Sequence, residues 1–164
     1  MSDVELEIPL LLANESDEVI PDDNGRGPSK YGVTLETYRF ISKDPAIPPE
    51  AIWDLTLDEA KNFYRLWWKL YHIGLIEDQA LAGKLMDFGF NAGPGLATKI
   101  LQRIVGVKDD GILGPETAAS VNGRDPAALL ASFKQDIVTH YEALASSNPL
   151  LRKYLEGWKK RALA

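Results

Sequence analysis

The sequence predicts a mainly α-helical chain with one small β-ribbon near its start. Apolar residues recur at helical spacing through most of the 164 positions, and strand-like alternation is scarce. Capping residues and prolines punctuate the helical stretches at short intervals. These short connections and mixed helix lengths suggest an irregular, mostly orthogonal helical domain rather than a regular bundle. A hydrophobic content of 45%, with four Trp, six Tyr and five Phe, supplies one core, so a single domain over 1–164 is expected.

The elements follow in order. An apolar run at 8–13 leads to the carboxylate of Glu15, an acid at a helix end. A loop at 21–27 precedes a short ribbon at 29–34, where β-favouring residues lie between glycine and proline. A short helix at 35–41 stops before Asp44-Pro45, and 47–50, with Pro48 and Pro49, is a rigid connector. Thr56-Leu57-Asp58-Glu59 has the spacing of a capping box and opens a long amphipathic helix to about Tyr71. Residues 79–91 form the next helix, with Leu81, Leu85 and Phe88 inward. Gly93-Pro94-Gly95 breaks it, and a helix resumes over 96–105. Asp110-Gly111 is a turn, Pro115 opens a short helix, and Asp125-Pro126 caps and starts another to about Ala145. Asn148-Pro149 repeats that cap for a last helix over 150–163.

Composition excludes several kinds of function. The absence of Cys removes disulfide frameworks, thiol nucleophiles and thiolate metal sites. The two His, His72 and His140, lie far apart without local partners, so no metal site is expected. A net charge of −6 argues against nucleic acid, whose binding is driven by neutralising phosphates. The 8–13 run is too short to span a bilayer. Flanked by Asp3, Glu5 and Glu7, it also lacks the cationic start of a secretion signal.

The segment 15–34 carries the chemistry. An acid at a helix end, facing a glycine-rich ribbon with more carboxylates, suits a general acid for breaking glycosidic bonds. Two further constellations stand out. Asp87 and Asn91, four apart in Met86-Asp87-Phe88-Gly89-Phe90-Asn91-Ala92-Gly93, share a helix face, either as a site or as a salt bridge plus a helix-end cap. Tyr64, Trp67, Trp68 and Tyr71 form one aromatic stripe, read as core in preference to a sugar platform.

Read from Glu15 through Tyr31-Gly32-Val33-Thr34, the chain resembles the muramidases of glycoside hydrolase family 108. Met86-Asp87 to Gly93 resembles a second hallmark of that family, with Met86 in place of its Phe. Asp110-Gly111 to Thr117 matches a turn also seen in small peptidoglycan-binding domains, and Gly157-Trp158 to Arg161 matches the family's closing motif. The order is consistent across the chain, with 8–93 as the catalytic signature region and 94–164 resembling the peptidoglycan-binding part. Ser16-Asp17-Glu18 replaces the family's Gly-Gly-aromatic, Asn24 replaces an Asp, and Gly25-Arg26-Gly27 shifts a glycine pair by one.

The resemblance implies a lysozyme-like fold and hydrolysis of the β-1,4 bond between N-acetylmuramic acid and N-acetylglucosamine. It places Glu15 as general acid, with Asp23 as the second catalytic group or a water held by Asn24 and Ser29 in its stead. Tyr31, Asp87 and Asn91 would line or brace the cleft. No metal or organic cofactor is expected. The partner would be peptidoglycan glycan strands, acted on by a monomer, with no nucleic acid and no transmembrane segment. The protein would be made in the cytoplasm and reach the periplasm or cell wall by release or a separate export system. The alternative is a catalytically impaired glycan-binding or secretion-assisting protein.

Overall fold

A computed structural model describes residues 1–164 apart from Ser16, Asn24 and Arg26. It is mainly α, with one two-stranded antiparallel ribbon, and divides into two compact units, Asp3–His72 and Met1–Ser2 with Ile73–Ala164.

The first unit opens with α1 (Val4–Asn14), capped by the Asp3 carboxylate, which accepts from the Glu5 amide at 2.9 Å. Ile8 and Leu11 of α1 are buried, and Glu15 is its C-cap. The strands β1 (Ser29–Lys30) and β2 (Val33–Thr34) follow, then α2 (Leu35–Ser42), capped by the Thr34 hydroxyl. The proline-rich connector continues into a helical turn, α3 (Glu50–Trp53), which the sequence reading did not anticipate. Its register is set by Ile52 and Leu55, both buried.

The Thr56–Glu59 capping box forms as expected at the start of α4 (Leu57–Leu70). Of the aromatic stripe, Tyr64, Trp67 and Trp68 of α4 are buried, with Phe63 beside them, and Tyr71 is half-buried with its ring 4.7 Å from that of Trp67. Helix α4 packs on α1 and α2, and Arg65 grips the Glu5 carboxylate through Nε at 2.6 Å and Nη2 at 2.9 Å. That exposed pair contributes little to stability.

The second unit holds a short 3₁₀ turn (Ile73–Leu75), α5 (Gln79–Ala92), α6 (Pro94–Val105), α7 (Pro115–Asn122), α8 (Pro126–Ser147) and α9 (Leu155–Leu163). Helix α5 packs on α6, α8 packs on α9, and α8 also touches α5 and α6. Gly106 ends α6 in the left-handed conformation at φ 78°, as a helix-stopping glycine should. The start of the expected last helix differs: Pro149–Tyr154 is a 3₁₀ segment, and α9 begins only at Leu155.

The Thr117 hydroxyl accepts from Gln102 Nε2 at 3.1 Å. Gln102 is buried and also reaches the Asp110 carboxylate, the Ile112 carbonyl and the Gly111 amide. One side chain thereby fixes the whole turn, which is why a buried glutamine is tolerated there.

An aromatic cluster closes this unit. Trp158 stacks at 5.0 Å on Tyr141, and Phe88 meets Tyr141 edge-on at 5.7 Å and His140 at 5.8 Å. Burial pushes the Tyr141 phenol up to about 12 and lowers the His140 imidazole below 6.5. A histidine depressed by burial binds its proton more readily in the unfolded chain. Its contribution to stability is therefore present above pH ~6.5 and is lost as pH falls through the window beneath that value. Glu5 and Glu59 are depressed chiefly by side-chain and backbone hydrogen bonds respectively, so their contributions fade only at lower pH, below about 4. Urea midpoints measured from pH 8 to pH 5 should decline below pH ~6.5 in the wild type. His140→Phe should flatten that limb, and an unchanged slope would show that His140 contributes nothing to it.

Candidate active site

The ribbon at 29–34 is a hairpin whose register pairs Ser29 with Thr34 and Lys30 with Val33, leaving Tyr31-Gly32 as a two-residue turn. Both turn residues have positive φ, 52° and 70°, as type I′ hairpin turns require. Glycine accepts that conformation freely, whereas tyrosine does so at a cost of roughly 1–2 kcal/mol. The compensating contact comes from the core. The Tyr64 hydroxyl, at the end of a fully buried side chain of α4, donates to the Tyr31 carbonyl.

The turn is held there against Glu15. A Cβ on Gly32 would lie 2.8 Å from Glu15 Cδ and 2.9 Å from Cγ and Oε2. Only a glycine lets the backbone approach the carboxyl group this closely. Glu15 itself has left the helix, at φ −111° and ψ 144°, and its amide donates to the Leu12 carbonyl at 3.3 Å. It is half-buried. A carboxyl group fixed by a helix end on one side and a strained turn on the other meets the positional demand on a general acid.

The remaining expected residues fall as follows. Ile20 pairs with Ser29 through two 2.9 Å backbone hydrogen bonds, which closes a loop over 21–28. Within it, Asp22 Oδ1 accepts from the amides of Gly25 at 3.1 Å and Gly27 at 3.3 Å. The amide of Asp23 donates to the Gly27 carbonyl at 2.9 Å, and Asp23 is half-buried. Ser29 is only 2% exposed and belongs to the ribbon's packing. Asn24 lies outside the described residues.

Asp87 and Asn91 lie on α5, in the other unit, and are engaged within it. Asp87 Oδ1 accepts from Arg161 Nη2 at 2.8 Å and Nε at 3.0 Å, and Lys84 Nζ stands 3.6 Å from Oδ2. Asn91 Nδ2 donates to the Asp87 carbonyl at 2.8 Å. Burial lowers the Lys84 ammonium below its ordinary value, although Asp87 opposes the shift.

Two family models match the chain. One, described as Glycosyl hydrolase 108, covers residues 11–93, just over half of it. The chain belongs to that family. It is therefore a glycoside hydrolase, and the 11–93 match includes Glu15, its ribbon and the α5 residues Asp87 and Asn91. The other, described as Predicted Peptidoglycan domain, covers residues 96–163, from α6 to α9. The two matches meet after α5, whereas the compact units part at His72, so α5 belongs to the glycosidase match by sequence and packs with the helices of the second. The solved structure of Brucella abortus SagA matches at a TM-score of 0.79 with 21% identity, covering 98% of this chain and 93% of that one, and so shares the fold. Comparison with curated proteins finds no match.

Two residues that shape this candidate site are not singled out by the sequence. Gly32 appeared there only as part of a motif, because type I′ turns favour Asn-Gly, Asp-Gly or Gly-Gly and Tyr31 in the first place hides the signal. Tyr64 was absorbed into the core stripe. Its hydroxyl bond to Tyr31 spans 33 positions and has no local signature.

Proposed function

We propose that the chain hydrolyses the β-1,4 bond between N-acetylmuramic acid and N-acetylglucosamine in peptidoglycan glycan strands, with Glu15 protonating the leaving oxygen. The reading rests on one contact, the Glu15 carboxyl against the Cβ-less Gly32 of a turn pinned by Tyr64. Membership of a glycosidase family gives that carboxyl a reaction, and the predicted peptidoglycan domain gives it a polymer. Asp23 serves the opposite face of the sugar, as base or charge-stabilising group. Asp87 braces α5 against α9 through Arg161, and Asn91 folds back onto the Asp87 carbonyl of its own helix. The protein acts on the cell wall as a monomer. Among the described residues no helix is long and apolar enough to cross a membrane.

The products test the bond assignment. Digestion of purified sacculi should release fragments with N-acetylmuramic acid at the reducing end. Reducing-terminal N-acetylglucosamine, or release of peptides alone, would assign a different bond.

Asp23→Ala should lower kcat roughly tenfold or more while leaving KM nearly unchanged, because its work is done in the transition state. In an inverting glycosidase such a group stands about 6.5–9.5 Å from the acid, leaving room for water. A wild-type kcat in Asp23→Ala would remove this residue from the mechanism.

A further inference from the structure

Of the four tryptophans, Trp67 and Trp68 are buried, Trp158 is stacked between Tyr141 and Tyr154, and Trp53 is 51% exposed. Trp53 ends the single turn of α3, and that turn is anchored by its neighbours Ile52 and Leu55 rather than by the indole. Its place beside the ribbon is fixed by Lys30. The Lys30 ammonium donates to the Trp53 carbonyl at 3.1 Å and lies 5.4 Å from the centre of the Tyr31 ring. One lysine on β1 thus ties the backbone of the residue that carries the exposed indole to the hairpin whose Gly32 abuts the Glu15 carboxyl.

A β-1,4-linked N-acetylated pyranose carries its substituents equatorially, so its ring faces present axial C–H groups. The electron-rich face of an aromatic ring is complementary to those polarised C–H groups, and burying both surfaces removes apolar area from water. Tryptophan offers the largest such face, and an exposed one forgoes core burial that this side chain usually secures.

We infer that Trp53, together with Tyr31, forms a stacking platform for a sugar ring of the glycan beside Glu15 and contributes to substrate binding rather than to bond cleavage. The inference rests on the proposed glycosidase reading of Glu15, and the test separates the two by measuring binding in a chain that does not turn over. The probe is a peptide-free oligomer of alternating N-acetylglucosamine and N-acetylmuramic acid. In Glu15→Gln, titration with this oligomer should change the tryptophan emission and shield it from iodide. Adding Trp53→Ala should abolish both responses.

In the otherwise wild-type enzyme, Trp53→Ala should raise KM about five- to tenfold with kcat within about twofold, and Trp53→Phe should recover most of the loss. Phe40→Ala, which removes another exposed aromatic, should leave KM unchanged. An unaltered fluorescence response in Trp53→Ala, a fall confined to kcat, or an equal loss in Phe40→Ala would overturn the platform. None of those outcomes touches the role of Glu15, which is decided by cleavage alone.

Discussion

Glu15→Gln should abolish peptidoglycan hydrolysis while leaving the fold intact. The amide has nearly the same shape as the acid, so it can occupy the space against Gly32 without displacing the turn. It cannot give up a proton to the leaving oxygen. General acid catalysis contributes about 10²–10⁴-fold, and the loss should fall on kcat because protonation is completed only in the transition state. KM should move little. Clearing of sacculi suspensions gives the first measurement, and residual activity of a third or more would transfer the role to another carboxylate, with Glu18 the next to test.

Gly32→Ala should produce a loss of about 10²-fold by a different route. The added methyl would sit 2.8 Å from Glu15 Cδ, and the atoms in its way are the end of a flexible side chain. The protein can therefore relieve the clash by turning the carboxyl aside rather than by unfolding. Stability should fall by only about 1–2 kcal/mol, the cost of alanine at a positive φ. Activity should fall far more, because an acid displaced by about 1 Å costs about 10²-fold. Thermal unfolding and kcat/KM measured on the same preparation distinguish the effects. A fully active Gly32→Ala would mean that the close approach has no part in catalysis.

The helices were legible because their signals are local. Thr56 with Glu59, Asp125 with Pro126, and Gly106 each act within one turn, and each forms the cap its spacing implies. The missed element, α3, follows Pro48-Pro49, which reads as a rigid connector; the turn is held by burial of Ile52 and Leu55, which a four-residue segment does not announce. The 3₁₀ start of the last helical segment is a similar case, since Asn148 caps either geometry. At the site, Glu15 and the ribbon could be found from motif order. What holds them could not be found that way, because the Tyr64 hydroxyl and the Gly32 contact are set by packing between segments distant in sequence. Asp87 and Asn91 show the opposite limit: their spacing does not disclose Arg161, which pairs with Asp87 from 74 positions away.

The role of Glu15 as general acid is tested most directly by changing the leaving group. A good general acid matters when the departing oxygen is a sugar hydroxyl and hardly at all when it is an acidic phenol that leaves without a proton. Wild type and Glu15→Gln should be compared on a glycan oligomer and on the matching dinitrophenyl glycoside. The expected result is a deficit of about 10²–10⁴ in kcat/KM on the oligomer, shrinking to within about tenfold on the activated glycoside. An equal deficit on both substrates would show that Glu15 does something other than protonate the leaving oxygen.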